Sequence, residues 1–380
     1  MTYQYQEKTM EFQTWDNPMG TDGFEFVEYA APDPKALGSL FVTMGFTAIA
    51  RHRTKDVTLY RQGDINFIIN AEPDSFAQRF ARQHGQCVCA IAIRVQDAAF
   101  AYKRALELGA WGFDNKTGPM ELNIPAIKGV GDSLLYFVDR WHGKDGREAG
   151  TIGDISIYDA DFVAIPGVKS NPVGHGLTYI DHLTHNVHRG RMKEWAEFYE
   201  NLFNFREIRY FDIHGKMTGL KSKAMTSPCG KIRIPINESS DDKSQIAEYL
   251  EQYHGEGIQH IALGTDNIYS TVQVMKDGGV DFQDTIATYY DLVDRRLPAH
   301  GENLDELRRL RILIDGKSSE AGRELLLQIF TQTVIGPIFF EIIQRKGDQG
   351  FGEGNFRALF ESIELDQIRR GVLKDESVPA

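Results

Sequence analysis

Two histidines and one glutamate stand in three short runs of aromatic, β-branched and small residues. The runs are Gly176-Leu-Thr-Tyr-Ile-Asp-His182, Gln259-His260-Ile-Ala-Leu-Gly-Thr265 and Phe339-Phe-Glu341-Ile-Ile343. Each reads as a β-strand, in which successive side chains point to opposite faces. Glu341 then shares a face with Phe339 and Ile343, His182 with Ile180, and His260 with Ile258 and Ala262. A carboxylate on an apolar face is costly unless it is paired or bound to a metal. Two imidazoles and one carboxylate form the set that binds non-haem Fe(II) and leaves positions open for substrate and oxygen.

A single buried histidine is more often a hydrogen-bonded core residue than a ligand, so the assignment needs a second argument. An internal repeat supplies it. Gly23-Phe-Glu-Phe-Val-Glu-Tyr29 matches the His182 run, Cys89-Ala-Ile-Ala-Ile-Arg-Val-Gln-Asp97 matches Gln259 to Asn267, and Leu134 to Arg140 matches Phe339 to Arg345. Aligned this way, His182 falls opposite Tyr29, His260 opposite Ala90 and Glu341 opposite Tyr136. All three donors are absent from the first half, which marks the second half as catalytic and the first as structural. His185 has the opposite strand parity to His182 and His188 lies at the strand end, so both are expected to be solvated.

The elements that position these residues follow from the same segments. Each strand is followed by a helix-like stretch with apolar residues three and four apart, as in Trp195, Phe198, Tyr199 and Leu202. The chain reads as α+β, two halves each holding a pair of β-α-β modules. Pro-Gly and Asn-Pro dipeptides between Pro166 and Pro172 place the boundary, giving an N-terminal metal-free domain over 1–165 and a catalytic domain over 166–380.

Composition narrows the class. Of 380 residues, 42% are hydrophobic and 25% charged, which fits a globular protein, and no run approaches the ~20 apolar residues of a membrane helix. A net charge of −12 disfavours nucleic acid and anionic membranes, leaving a small substrate. Cys87, Cys89 and Cys229 make an odd count unsuited to a disulfide framework, and Met1 to Met19 does not read as a secretory leader. A reducing cytoplasm is the expected compartment. Gly350-Phe-Gly-Glu-Gly-Asn-Phe356 looks like a phosphate loop, yet it lacks the strand-to-helix context nucleotide binding requires. The apolar stripe after it (Phe356, Leu359, Phe360 and Ile363) suits a C-terminal helix acting as a lid hinged on the glycines.

The chain resembles the 4-hydroxyphenylpyruvate dioxygenase family over essentially its whole length, most densely from Ser222 onward. The resemblance is carried by Gly219-Leu-Lys-Ser222, Ile234-Pro-Ile-Asn237, Lys243-Ser-Gln245, Gln259-His260, Leu327-Gln328-Ile-Phe330, Phe339 to Arg345 and Gly350 to Phe356. It implies a two-domain vicinal oxygen chelate fold with paired βαβββ modules forming an open barrel in each half and a C-terminal lid helix. It also implies Fe(II) on His182, His260 and Glu341. Ser222, Asn237, Gln245 and Gln328 would make polar contacts to substrate, with Asn237, Gln245 and Gln328 the candidate catalytic groups. Phe330 and Phe356 would sandwich an aromatic ring, with Phe339 and Phe360 completing the wall and Asn355 carried in by the lid. Gln259 is associated with the family's site, although strand parity points it away from His260.

The implied reaction takes 4-hydroxyphenylpyruvate and O2 to homogentisate and CO2 in tyrosine and phenylalanine catabolism, in a homo-oligomer (dimer or tetramer). The substrate carries its own α-keto acid to chelate the metal. Neutral amides suit a phenol hydroxyl, which needs hydrogen bonds rather than a counter-charge. The rivals are 4-hydroxymandelate synthase, another metal-dependent isomerase or ring-cleavage enzyme of the same superfamily, and a non-catalytic binding protein.

Overall fold

The computed structural model describes residues 13–114, 117–141, 155–214, 219–240, 244–319 and 322–355. The first half contributes strands β1 (Phe24–Ala30), β2 (Thr47–His52), β3 (Val57–Gln62), β4 (Ile65–Asn70), β5 (Cys87–Arg94), β6 (Gly112–Phe113), β7 (Ala126–Lys128), β8 (Leu134–Val138) and β9 (Phe162–Ala164). The second contributes β10 (Leu177–Val187), β11 (Arg206–His214), β12 (Gly219–Thr226), β13 (Arg233–Ser239), β14 (Gly257–Thr265), β15 (Leu313–Ser319), β16 (Gly322–Phe330) and β17 (Phe339–Lys346). They form two mixed sheets, β6-β7-β8-β5-β1-β4-β3-β2-β9 and β11-β12-β13-β10-β14-β17-β16-β15.

Each sheet is two βαβββ modules joined through their first strands, β1 against β5 and β10 against β14. The joining strands are covered on both faces, which explains their nearly continuous apolar runs. In β5, Cys87–Arg94 is buried from Cys87 through Ile93. Cys87 and Cys89 are free thiols inside this run, and burial pushes the Cys87 thiol up to about 12. The helices after β5 and β14 start on equivalent caps: Asp97 accepts from the Phe100 N–H, and Asn267 from the Ser270 N–H. The halves share one core, with Phe67 stacked on Phe340 at 5.9 Å and Tyr253 donating to the Val88 carbonyl at 3.3 Å.

Backbone pairing corrects the repeat alignment at one of its three positions. Glu341 pairs with Ala262 and Tyr136 with Ala92, while His260 pairs with Phe339 and Ala90 with Leu134, so these two equivalences hold. Across the joint, however, Ala262 faces His182 whereas Ala92 faces Phe26. The counterpart of His182 is therefore Phe26. Tyr29, opposite Val88, is the counterpart of His185, opposite Ile258. Gly23 and Gly176 mislead because β10 begins earlier, relative to the shared pairs, than β1 does. Phe26 packs against Tyr136 with ring centroids 5.7 Å apart, so in the first half two aromatic rings fill the place where two of the three donors stand in the second.

His185 is also corrected. It is fully buried, and its Nε2 lies 2.7 Å from the Tyr199 hydroxyl on the helix Met192–Phe203. The face opposite His182 is covered by that helix rather than by water. Burial pulls the His185 pKa down to about 3, so the ring that pairs with the Tyr199 hydroxyl is neutral. His188 is exposed.

Candidate metal centre

The three donors come from adjacent strands β10, β14 and β17 and reach the same face of the sheet. His182 Nε2 lies 3.2 Å and His260 Nε2 3.5 Å from Glu341 Oε2, and the three donor atoms lie within 4.8 Å of one another. The two imidazole rings meet edge to face at 5.4 Å. Burial pushes the Glu341 carboxyl up, but His182 and His260 beside it outweigh this and bring it to about 2, so it is an anion. Burial pulls His182 down, and Glu341 and Asp181 outweigh it to hold the ring above its usual value. Burial keeps His260 below its usual value.

Two β-bulges prepare these rings. Between the pairs Ile180–Leu263 and His182–Ala262, β10 carries one extra residue, Asp181. Between Thr184–His260 and His185–Ile258, β14 carries one extra residue, Gln259. A bulge breaks strict alternation, so neighbouring side chains can meet. Asp181 Oδ1 accepts from His182 Nδ1 at 2.8 Å and Gln259 Oε1 from His260 Nδ1 at 3.0 Å. Each bond places an N–H on Nδ1 and leaves Nε2, the nitrogen a metal would take, facing Glu341. This donor set fits a divalent metal, with the outer partners that metal-binding histidines ordinarily have. The first half has the same bulges, at Glu25 and Cys89, but lacks the donors they would serve.

Asp181 is held in turn. The Arg345 fork donates to both of its oxygens at 2.7 and 2.8 Å, and Arg233 lies 3.5 Å away. Burial pushes the Asp181 carboxyl up, and Arg345 outweighs this to hold it well below the usual range. Phe339 stacks flat on His260 at 4.9 Å and 19°, which fixes that ring from the side.

The donors open onto a cleft with about 550 Å³ of free space, part of it continuous with solvent. Ser222, Asn237 and Phe330 line it, as do His182, His260 and Glu341. Gln328 is buried on the Glu341 face of the sheet, two residues from Phe330, and its Oε1 has no partner among the described residues. Five other expected contacts are placed elsewhere or fall outside the described residues. Gln259 lies behind His260, because the bulge turns its side chain along the ring. Asn355 accepts from the Tyr289 hydroxyl at 2.6 Å, which ties the end of the glycine-rich run to the body. Gln245 is exposed on the first turn of the helix Gln245–Tyr253, whose apolar side buries Ile246 and Tyr249 instead. Phe356, Phe360 and the lid helix lie outside the described residues.

The cleft also contains residues that sequence reasoning did not single out: Thr184, Phe211, Leu220, Phe351 and Glu353. Thr184 was within reach of the parity argument, being two residues from His182 on the same strand. Its Oγ1 lies 2.9 Å from His260 Nε2. Phe351 sits in the glycine-rich run and meets the His182 ring edge at 5.3 Å. Asp181, Arg345 and Arg233 carried no local signal, because their association spans the chain.

Comparison with known proteins agrees with this reading. Residues 15–163 match the family model "Hydroxyphenylpyruvate dioxygenase, HPPD, N-terminal". Residues 179–292 match that of the glyoxalase/bleomycin resistance protein/dioxygenase superfamily. A protein named hemolysin VllY from Vibrio vulnificus is 61% identical over 94% of this chain and 98% of its own length. A 4-hydroxyphenylpyruvate dioxygenase from Pseudomonas aeruginosa is 59% identical over 94% of this chain and 97% of its own. The solved structure of a xylose isomerase-like TIM barrel/4-hydroxyphenylpyruvate dioxygenase fusion protein superposes with a TM-score of 0.74 at 34% identity, covering 92% of this chain and 54% of that one.

Fold and site together define a metal-dependent dioxygenase of the glyoxalase superfamily, built on the vicinal oxygen chelate plan. Relatives so similar over nearly the full length fix the narrower group. The chain belongs to the 4-hydroxyphenylpyruvate dioxygenase family.

Proposed function

We propose that this enzyme converts 4-hydroxyphenylpyruvate and O2 to homogentisate and CO2 with Fe(II) held by His182, His260 and Glu341. The observation that supports it most directly is the meeting of these three donors at a cleft that also carries the neutral polar groups of Ser222 and Asn237. The reaction balances without a further reductant, since the substrate's keto acid supplies two electrons as its carboxylate leaves as CO2. Both oxygen atoms of O2 end in homogentisate.

Fe(II), held by His182, His260 and Glu341, would bind the keto acid and activate O2, which is the oxidant of the reaction. The chain's own contribution is positional. Asp181 and Gln259 hold an N–H on each Nδ1 and so turn both Nε2 atoms toward the centre. Phe330 and Phe351 line the cleft with apolar surface that keeps water from the reacting carbons. Ser222 and Asn237 offer neutral hydrogen bonds to the substrate's oxygens, and Gln328 is buried on the Glu341 face of the sheet. A cytoplasmic homo-oligomer belongs to the same reading. Its three cysteines are free thiols, and among the described residues no helix is long and apolar enough to cross a membrane.

The test is anaerobic reconstitution with Fe(II), followed by 4-hydroxyphenylpyruvate and O2 and identification of the product. Homogentisate is expected. 4-Hydroxymandelate would reassign the oxidised carbon, and no O2 uptake by iron-loaded protein would refute the reading. His260→Ala should lose iron while keeping its circular dichroism spectrum.

A further inference from the structure

We infer that Asp181, through Arg345 and Arg233, couples metal binding at His182 to the seating of the segment that carries Phe351. This rests on the metal assignment above and adds a positioning role for three residues that touch neither metal nor substrate. Asp181 is completely buried. Its Oδ1 accepts from both His182 Nδ1 and Arg345 at 2.8 Å, and its Oδ2 accepts from Arg345 Nε at 2.7 Å. The remaining Arg345 nitrogen donates to the carbonyls of Gly350 at 2.7 Å and Asp348 at 3.1 Å. Arg233 lies 3.5 Å from the same carboxylate and donates to Gln349 Oε1 at 2.7 Å. Phe351 follows at once, its ring 5.8 Å from the Arg345 guanidinium and edge-on to His182 at 5.3 Å.

The segment is thus fastened to His182 twice, by charge through Asp181 and by ring contact through Phe351. A guanidinium is a rigid planar fork, so the two bonds to Asp181 fix the direction of the N–H groups that reach the loop carbonyls. A cation on Nε2 restrains the imidazole and polarises its Nδ1–H, which strengthens the bond to Asp181 and steadies the fork. Linkage is reciprocal, so a seated segment raises metal affinity by the factor by which metal favours seating. A cleft wall ordered by the metal gives substrate a finished site only when the metal is present.

The experiment is backbone hydrogen exchange over residues 348–353, with and without Fe(II) under anaerobic conditions, together with Fe(II) titration. In the wild type, Fe(II) should slow exchange in this stretch by about fivefold or more. Arg345→Lys keeps the charge but loses the fork. It should bind Fe(II) roughly tenfold more weakly, and its exchange should no longer respond to metal. Should Arg345→Lys not fold, Arg233→Gln leaves the Asp181–Arg345 pair intact and should show a reduced metal response. A wild type that binds Fe(II) with unchanged exchange overturns the coupling alone, as does a folded Arg345→Lys that matches wild type in both readouts. A wild type that binds no Fe(II) overturns the metal assignment and the coupling with it.

Discussion

Asp181 and Gln259 stand in matching places, each the extra residue of a β-bulge immediately before a metal-site histidine, and each accepts that histidine's Nδ1–H, at 2.8 and 3.0 Å. The two differ in charge, and the anionic partner serves the ring that sits closer to Glu341. Gln259→Ala leaves the His260 Nδ1–H without its acceptor and should weaken Fe(II) binding about tenfold. Gln259→Glu restores an acceptor and should bind at least as tightly as wild type. Anaerobic Fe(II) titration reads both, and equal affinity in the alanine variant would show that Gln259 does not hold the ring.

Thr184 behaves in the opposite sense. With His260 Nδ1 protonated, the Thr184 hydroxyl donates to the bare Nε2 at 2.9 Å and competes with metal for it. A hydrogen bond of this kind contributes about 1 kcal/mol net. Thr184→Val, close to isosteric, should tighten Fe(II) binding by up to about fivefold. Weaker binding in the same titration would mean that the hydroxyl supports the metal-bound state.

Asn237 and Ser222 face each other across the β12–β13 pair and line the cleft, whereas Gln245 is exposed. Asn237→Ala should lower kcat/KM for 4-hydroxyphenylpyruvate about fivefold or more with Fe(II) affinity unchanged, because it removes the hydrogen bond to substrate proposed above and none of the three metal donors. Gln245→Ala should stay within about twofold of wild type, as surface substitutions usually do. A large loss at Gln245 would show that the helix it begins moves onto the substrate.

His185 makes stability pH-dependent. Its ring has a pKa near 6.5 in the unfolded chain and about 3 when folded, because burial excludes the charged form. Above pH 6.5 neither state is protonated and the group contributes nothing. Below it the unfolded chain gains a proton that the folded one refuses. Stability is therefore lost as pH falls from 6.5 toward 3, by up to about 1.4 kcal/mol per pH unit. Denaturant unfolding of wild type and His185→Gln at pH 7 and pH 5 checks this, the glutamine variant being expected to lose less stability on acidification.

Residue type and order determined a good deal by themselves. The four modules, the donor set of His182, His260 and Glu341, and its absence from the first half are all local patterns, because a strand reports its faces through alternation. Alternation fails where a strand gains a residue. That is why Gln259 seemed to point away from His260, while Asp181 gave no sign at all. Counting from glycines also set His182 against Tyr29, because sequence spacing does not see which backbone groups pair, and pairing puts Phe26 there. His185 looked solvated because parity names a face without saying what covers it, and the covering helix comes from residues further along the chain. Only the tertiary structure could bring Arg345 and Arg233 around a buried carboxylate next to a candidate metal ligand. That association depends on sheet order and on two bulges, which fix distances between residues far apart in the chain.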